Sequence, residues 1–293
     1  MSSRRAGSAT PQRRQEAPGV VVIHIALVPY QVSVDPSLLT RVAAALQRQV
    51  HEQFGPLWQI DATVSPFTDW NAVPPDYARL IVVDHLDSTA LGVHADKDGK
   101  PYAMVNVHGS WPLVASHELL ELLADPTGQK ILPGPSPRQD GKTVEILVEV
   151  CDPCQGSRWS YPIDGIPVSD FCTPAFYSGG SGPWSYRGNI QSAHHVLKDG
   201  YLIWHDPDAK LWWRRDHLGS EPTDYALGPM PPTVSFLRGH IDRITQGHRQ
   251  GHRRKPKAAA VAPVAPAAKA RSRALARQVA SILTPPRGRK GRK

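Results

Sequence analysis

Acidic residues are missing where the basic ones are densest. From Arg253 to Lys293 the chain has 13 Lys/Arg and no Asp or Glu, and residues 1–19 set Arg4, Arg5, Arg13 and Arg14 against Glu16 alone. The formal charge of +8 and the pI near 9.5 therefore come from the two ends, while residues 20–252 carry a net −8. A basic pI produced by the ends is no mark of a nucleic-acid-binding fold in the body. Cysteine is scarce as well. Cys151, Cys154 and Cys172 are the only three, an odd and low count that argues against a disulfide framework. No stretch approaches the ~20 apolar residues of a membrane span. The longest candidate, Val20–Val28, is short, holds His24, and is followed by no small-residue cleavage site. It predicts a strand rather than a signal sequence, and a cytoplasmic location is the expectation.

What is present is a chain of 293 residues, 40% hydrophobic, with a mean hydropathy of −0.36. That is long enough for one large domain or two small ones. Residues 1–18, rich in Arg, Ser, Gln and Pro, are expected to be disordered. Val20–Pro29 predicts a strand. Asp35-Pro36 opens a helix, with Asp as N-cap and Pro at the first helical position. Leu39, Val42, Leu46, Val50 and Phe54 repeat at helical spacing along it, and Gly55-Pro56 is expected to end it. Trp58–Val64 alternates as a second strand, and Tyr77–Asp84 carries the apolar run Leu80–Val83 of a third. Ala90–His94 and Tyr102–His108 flank a turn-rich tip at 95–100 and predict a hairpin. A helix over 113–124 follows, with Asp125-Pro126 at its end and a Pro-rich loop over 132–137. Val144–Val150 predicts a further strand. The stretch 155–215 reads as loop- and aromatic-rich, with short strands at Tyr161–Ile163 and Tyr201–Trp204. A last helix is expected over 232–247, and a low-complexity basic tail from 248, weakly helical over 269–283.

The most informative stretch is Ser116-His-Glu-Leu-Leu-Glu-Leu-Leu-Ala-Asp-Pro126. On a helix His117 and Glu121 lie one turn apart on one face. That is the spacing at which a metalloprotease helix offers two ligands to one zinc, with the Glu after the first His as general base. Here Glu121 stands where the second His would be. Leu119, Leu120, Leu122 and Leu123 equally suit a core helix with no metal at all.

Val114–Pro126, followed by Glu149-Val-Cys-Asp-Pro153, resembles zincin-type metallopeptidases. More closely it resembles bacterial and phage-type proteins with a Ser-His-Glu-x-x-Glu-x-x-x-Asp-Pro helix and a Glu-x-Cys-Asp segment. Tyr161–Phe171 and Gly200–Pro207 resemble the same proteins, so the likeness covers roughly residues 85–215. It implies an α+β fold: a zincin-like mixed sheet with an active-site helix, a loop-rich C-terminal subdomain and disordered basic tails. On that basis residues 19–247 form the metallopeptidase domain, 19–126 being sheet plus active-site helix and 127–247 the C-terminal subdomain, with the tail at 248–293. The resemblance also implies a sheet edge beside the helix, to which substrate adds as an extra strand. Met104-Val105-Asn106-Val107 is the segment expected there. The activity implied is hydrolysis of a peptide or protein by a metal-activated water, with Glu118 taking its proton. His117 and Glu121 are the first two ligands. Asp152 is the first choice for the third, and Glu149 is the alternative or else orients His117 from behind. Asp125 reads as a structural cap more readily than as a ligand. One His with two carboxylates is a harder set than the usual zinc sites. Zn2+ is the expected cofactor, bound more weakly, with manganese or calcium admissible.

Other candidates stand apart from that helix. One of Tyr161, Tyr177 and Tyr186 could stabilise an oxyanion. The three cysteines are either buried free thiols or, with His194 or His195, a structural zinc site. His205 precedes Asp206-Pro207, a β-turn sequence. Trp204, Trp212 and Trp213 beside Arg214-Arg215 form either a stacking surface or packed core. Residues 253–293 are suited to nucleic acid or another anionic partner. A catalytically inactive scaffold that docks through this tail is the alternative to the peptidase.

Overall fold

The computed structural model describes residues 22–88, 90–229, 241 and 266–283. It is an α+β protein with two five-stranded sheets. The first holds β1 (Val22–Pro29), β2 (Asp61–Pro66), β3 (Ala78–Val83), β4 (Gly92–Lys97) and β5 (Lys100–Asn106), in the order β2-β1-β3-β5-β4. β2, β1, β3 and β5 run parallel, and β4 returns antiparallel on β5. Parallel strands covered on both faces read as unbroken apolar runs, and Ile25–Val28, Leu80–Val83 and Ala103–Val105 are such runs, all buried. Alternate residues separate to the two faces. Leu27, Leu80, Val82 and Val105 join a core with the helices over Pro36–Arg48 and Trp111–Ala124, while Ile81, Val83 and Met104 turn the other way.

Helix α1 (Pro36–Arg48) begins as its sequence predicts: the Asp35 side chain accepts from Leu38 N at 2.7 Å. It does not end at Gly55-Pro56. A π-helical turn over Gln49–Phe54 passes into a short helix α2 (Gly55–Trp58), which stops at Gln59 in the left-handed conformation. Gly55 permits close packing rather than termination, since a Cβ there would lie 2.5 Å from Ile60 O. The hairpin of β4 and β5 turns on Asp98-Gly99, both at positive φ, the type I′ geometry that Asp-Gly favours.

That hairpin corrects the expected sheet edge. β5 is paired on both sides, so Met104 and Val105 are interior, and β4 is the outer strand. Helix α3 (Trp111–Ala124), the expected motif helix, packs against β5, β4 and β3 and against the hairpin of β8 (Tyr161–Ile163) and β9 (Ile166–Val168).

The second half contains more strand than its sequence suggests. β6 (Ile131–Pro135), β7 (Thr143–Leu147), β10 (Tyr201–Asp206), β11 (Leu211–Asp216) and β12 (Thr223–Gly228) form an antiparallel sheet in the order β12-β11-β10-β7-β6. The Pro-rich segment expected as a loop is its edge strand β6, where proline costs no inner ladder bond. The short helix α4 (Pro174–Ser178) lies between β9 and β10.

In the tail, the helix expected over 269–283 is present and begins three residues earlier. Pro266–Leu283 is a helix whose Val279 and Ile282 pack on Ile81, Val83 and Met104 of the first sheet and on Leu86 in the loop after β3. Its Gln278 donates to His85 O and accepts from Asp87 N. The expected N-terminal disorder and the helix expected over 232–247 lie outside the described residues, apart from buried Ile241. No described helix is long and apolar enough to cross a membrane.

Candidate metal centre

Helix α3 is buried nearly all round, as its four leucines require, and its polar residues are accounted for one by one. Ser116 Oγ donates to Gln49 Oε1 at 2.7 Å and accepts from Ser169 N at 2.9 Å. Gln49 in turn donates to Ser169 O at 2.8 Å. This fixes the rotation of α3 against the π-helical turn and the second half of the chain. Asp125 ends the helix. Its carboxylate accepts from Thr127 N, Thr127 Oγ1 and Lys130 N, at 3.3, 3.2 and 2.7 Å, which makes it a structural turn residue.

The remaining polar residues of α3 converge with three from elsewhere. His117 Nε2 lies 3.3 Å from Glu121 Oε1 and 3.3 Å from Asp152 Oδ1. Asp152 arrives on the short turn after β7, at the start of a 3₁₀ segment over Asp152–Cys154. Cys151 N donates to Glu121 Oε1 at 3.3 Å and ties that turn to the helix. On the other side stands His94 from β4, a residue that no local sequence pattern marks. Its Nδ1 lies 3.4 Å from Glu121 Oε2 and 3.6 Å from Glu118 Oε2, and its Nε2 3.8 Å from Glu149 Oε2. All but His117 are buried, and His117 is 15% exposed in its side chain.

These separations are informative. A charge-assisted N–H···O bond closes to about 2.7–2.9 Å. Two donors on a tetrahedral zinc, each about 2.0–2.2 Å from the ion, stand roughly 3.3–3.5 Å apart. The two 3.3 Å separations from His117 Nε2, to Glu121 Oε1 and to Asp152 Oδ1, are longer than closed charge-assisted bonds and compatible with donors around one cation. Three groups of donor atoms here lie close enough together to hold a divalent cation: His117, Glu121 and Cys151; His94, Glu118 and Glu121; and Glu121, Glu149 and Asp152.

The charges act in the same direction. Burial pushes His117 down, but Glu121, Asp152 and Glu118 outweigh it and hold the imidazole well above its usual range. For His94, burial is likewise outweighed, by Glu149, Glu118 and Glu121. Burial pushes Glu121 up, but the two imidazoles prevail and hold it well below the usual carboxylate range. Glu118 remains raised because burial exceeds the pull of His94 and His117. A field that draws protons onto two imidazoles also draws a metal ion, which takes the protons' place.

A cleft of about 660 Å³ opens onto the centre. Gly92, Val93 and His94 of β4 line it, with His117 and Glu118 of α3, Asp152, Tyr201 and Arg214. Gly92 is needed there: a Cβ would stand 2.5 Å from Glu118 Cγ and Oε1, so the missing side chain is the space the Glu118 carboxylate fills. Arg214 is buried, donates to Asp216 Oδ1 at 2.7 Å and lies 3.7 Å over the Tyr201 ring.

Several sequence candidates lie elsewhere. Met104, Val105, Asn106 and Val107 do not line the cleft, being one strand in from the edge. Nor do Tyr161, Tyr177 and Tyr186. Tyr161 belongs to the Gln49 network, Tyr186 stacks on Phe171, and Tyr177 is wholly buried. The cysteines are free and buried. Cys151 lies near His117 and Glu121, and burial and then Glu121 push its thiol well up. Among the described residues no group of donor atoms joins the cysteines to His194 or His195, and His194 Nε2 bonds to Tyr177 O. His205 pairs with Glu145 at 2.7 Å and stacks on Trp212. Trp204 and Trp212 are buried in the second sheet and offer no stacking surface. No family model, curated protein or solved structure matches the chain.

Proposed function

We propose that the chain is a metal-dependent peptidase of zincin type. His117, Glu121 and Asp152 hold the catalytic cation, zinc by first choice, and Glu118 is the general base. The observation that carries this reading is that His117, 3.3 Å from both Glu121 and Asp152, lines one cleft together with Asp152 and a third carboxylate, Glu118. A divalent cation supplies Lewis acidity there, polarising a scissile carbonyl and lowering the pKa of a water.

The chain's own residues do the rest. Glu118 is buried, and its carboxyl is raised above the usual range, the direction that suits a group exchanging protons near neutral pH. It accepts the proton of the attacking water and passes it to the leaving amine. Asp152 is favoured over Glu149 as third ligand because it is the one 3.3 Å from His117, whereas Glu149 faces His94. The outer side of β4 supports an extended substrate added as a further strand. Gly92–His94 then replaces Met104–Val107 as the segment beside the scissile bond.

The test is cation content by mass spectrometry on protein purified without chelator, together with cleavage of a quenched fluorescent peptide mixture. Glu118→Gln is expected to keep the fold and the cation between His117, Glu121 and Asp152, and to lose about 10²–10⁴-fold in turnover. Equal turnover in wild type and variant, or no bound cation after zinc addition, would sink the reading.

A second reading, contact with nucleic acid or another anionic partner, rests on the C-terminal helix. Its Arg273 and Arg277 are exposed while Val279 and Ile282 are buried on the sheet. Binding to an oligonucleotide that falls with salt and is abolished by Arg273→Glu with Arg277→Glu supports it. Binding unchanged in that double variant counts against it.

A further inference from the structure

His94 is the residue the single-cation reading leaves without a task. It comes from the edge strand rather than the motif helix, it is 3% exposed, and its ring stands among three carboxylates. Glu121 stands between two imidazoles, with Oε1 facing His117 Nε2 at 3.3 Å and Oε2 facing His94 Nδ1 at 3.4 Å. We propose that the centre takes two divalent cations bridged by the Glu121 carboxylate. One sits between His117 Nε2, Glu121 Oε1 and Asp152 Oδ1. The other sits between His94 Nδ1, Glu118 Oε2 and Glu121 Oε2. The inference rests on the metal reading above and goes beyond it in assigning the second seat.

Three observations carry it. The first is spacing. The His94 Nδ1 distances of 3.4 and 3.6 Å repeat, on the second oxygen of Glu121, the donor separations of the first seat. A carboxylate that bridges through its two oxygens sets cations about 3.5–4 Å apart, the separation of two-metal hydrolytic sites. The second is charge. Glu118, Glu121, Glu149 and Asp152 are all buried. With neutral imidazoles, their four negative charges equal the charge of two divalent cations, and buried like charges close together are costly without cations among them. The third is the far side of the His94 ring. Nε2 makes no hydrogen bond and lies 3.8 Å from Glu149 Oε2. A carboxylate on that side favours the proton on Nε2 through its charge, without a closed hydrogen bond, and so leaves the Nδ1 lone pair for a metal. Because the second seat uses Glu118 Oε2, a cation there and proton acceptance by Glu118 compete. The second cation therefore inhibits, while the first is required.

The experiment is equilibrium dialysis of the full chain against manganese(II), with metal counted by mass spectrometry and low-temperature electron paramagnetic resonance on the same samples. Wild type is expected to bind two equivalents and to give the spectrum of an exchange-coupled pair. His94→Ala is expected to bind one and to give an uncoupled spectrum, and Glu118→Gln, which keeps the side-chain volume, to lose the second equivalent alone. Should His94→Ala fail to fold, the wild-type spectrum and Glu118→Gln still decide. Saturation of wild type at one uncoupled equivalent overturns the second seat and leaves the single-cation peptidase standing. No bound manganese or zinc at all overturns both.

Discussion

The two sheets differ in how they are closed. The first is covered on both faces, by α1 and α3 on one side and by the C-terminal helix on the other, so its inner strands are continuous apolar runs. The second also has apolar residues on both faces, Ile146, Leu202 and Trp204 on one and Leu147, Ile203 and Trp212 on the other, but adds side-chain pairs between strands. Trp204 stacks on Trp213, His205 on Trp212, and Arg215 pairs with Asp224 at 2.6 Å. Its strand β11 alternates buried and half-buried residues, and its buried side includes the charges of Arg214 and Asp216. The candidate centre lies where these two kinds of construction meet. His94, His117, Glu118 and Glu121 belong to the first sheet and its helix, while Glu149 and Asp152 come from the turn that follows β7 of the second. Folding one half alone would not assemble it.

The largest effect expected from breaking that junction is at Asp152. Asp152→Asn removes the charge that the second half sets 3.3 Å from His117. Turnover should fall well beyond the ~10–100-fold typical of changes behind the ligands, with metal content falling in parallel. Asp125→Asn is the control, since Asp125 only caps the helix. It should lose stability while keeping its metal. Metal content equal in Asp152→Asn and wild type would remove Asp152 from the ligand set.

The next effect tests whether the first sheet needs its second cover. Ile282→Ala on the C-terminal helix empties a contact with Ile81, Val83 and Met104, and should cost about 2–4 kcal/mol in denaturant unfolding. An unchanged midpoint would mean that the helix contributes nothing to the fold. Smaller again is the polar link between the halves. Ser116→Ala deprives Gln49 Oε1 and Ser169 N of their partner and should cost about 1–3 kcal/mol. Cleavage per folded molecule should change little, because Ser116 fixes the helix and touches no ligand.

What the sequence revealed follows the same division. Helix α1, the strands with apolar runs and the Asp-Gly hairpin were legible because each is specified within a short window. His117 with Glu121 was legible because four residues of helix bring them together. The order of strands was not, so the sheet edge was assigned to β5 when β4 lies outside it. The second sheet was largely missed. Prolines in β6 read as a loop, and the pairs that hold β10 to β11 and β12 lie in no common window. His94 was missed for a related reason: it sits in a hairpin strand whose alternation marks it as ordinary, and only the antiparallel return of β4 brings it to α3. The hairpin itself, with Gly92 at the base of β4, was the available signal.

Gly92 offers the finest test of how the two elements of the first half are fitted together. A glycine within a strand weakens it, and so has a reason where it occurs. Here the reason is the Glu118 carboxylate, which occupies the place of the absent Cβ. In Gly92→Ala the strand should gain slightly in propensity, but the added methyl must displace Glu118 or move β4 off α3. The carboxylate is the softer of the two, since it ends a side chain rather than a backbone ladder. The expected result is a fall of about tenfold in turnover, roughly 1.4 kcal/mol of transition-state stabilisation. Occupancy of the first cation seat should be unchanged, because His117, Glu121 and Asp152 do not touch the new methyl. Occupancy of the second seat should fall with the loss of Glu118 Oε2. Metal titration and steady-state cleavage of the same preparation separate the two. If turnover is unaffected while the midpoint of unfolding drops, β4 has moved instead, and the edge strand is the more pliable partner of the pair.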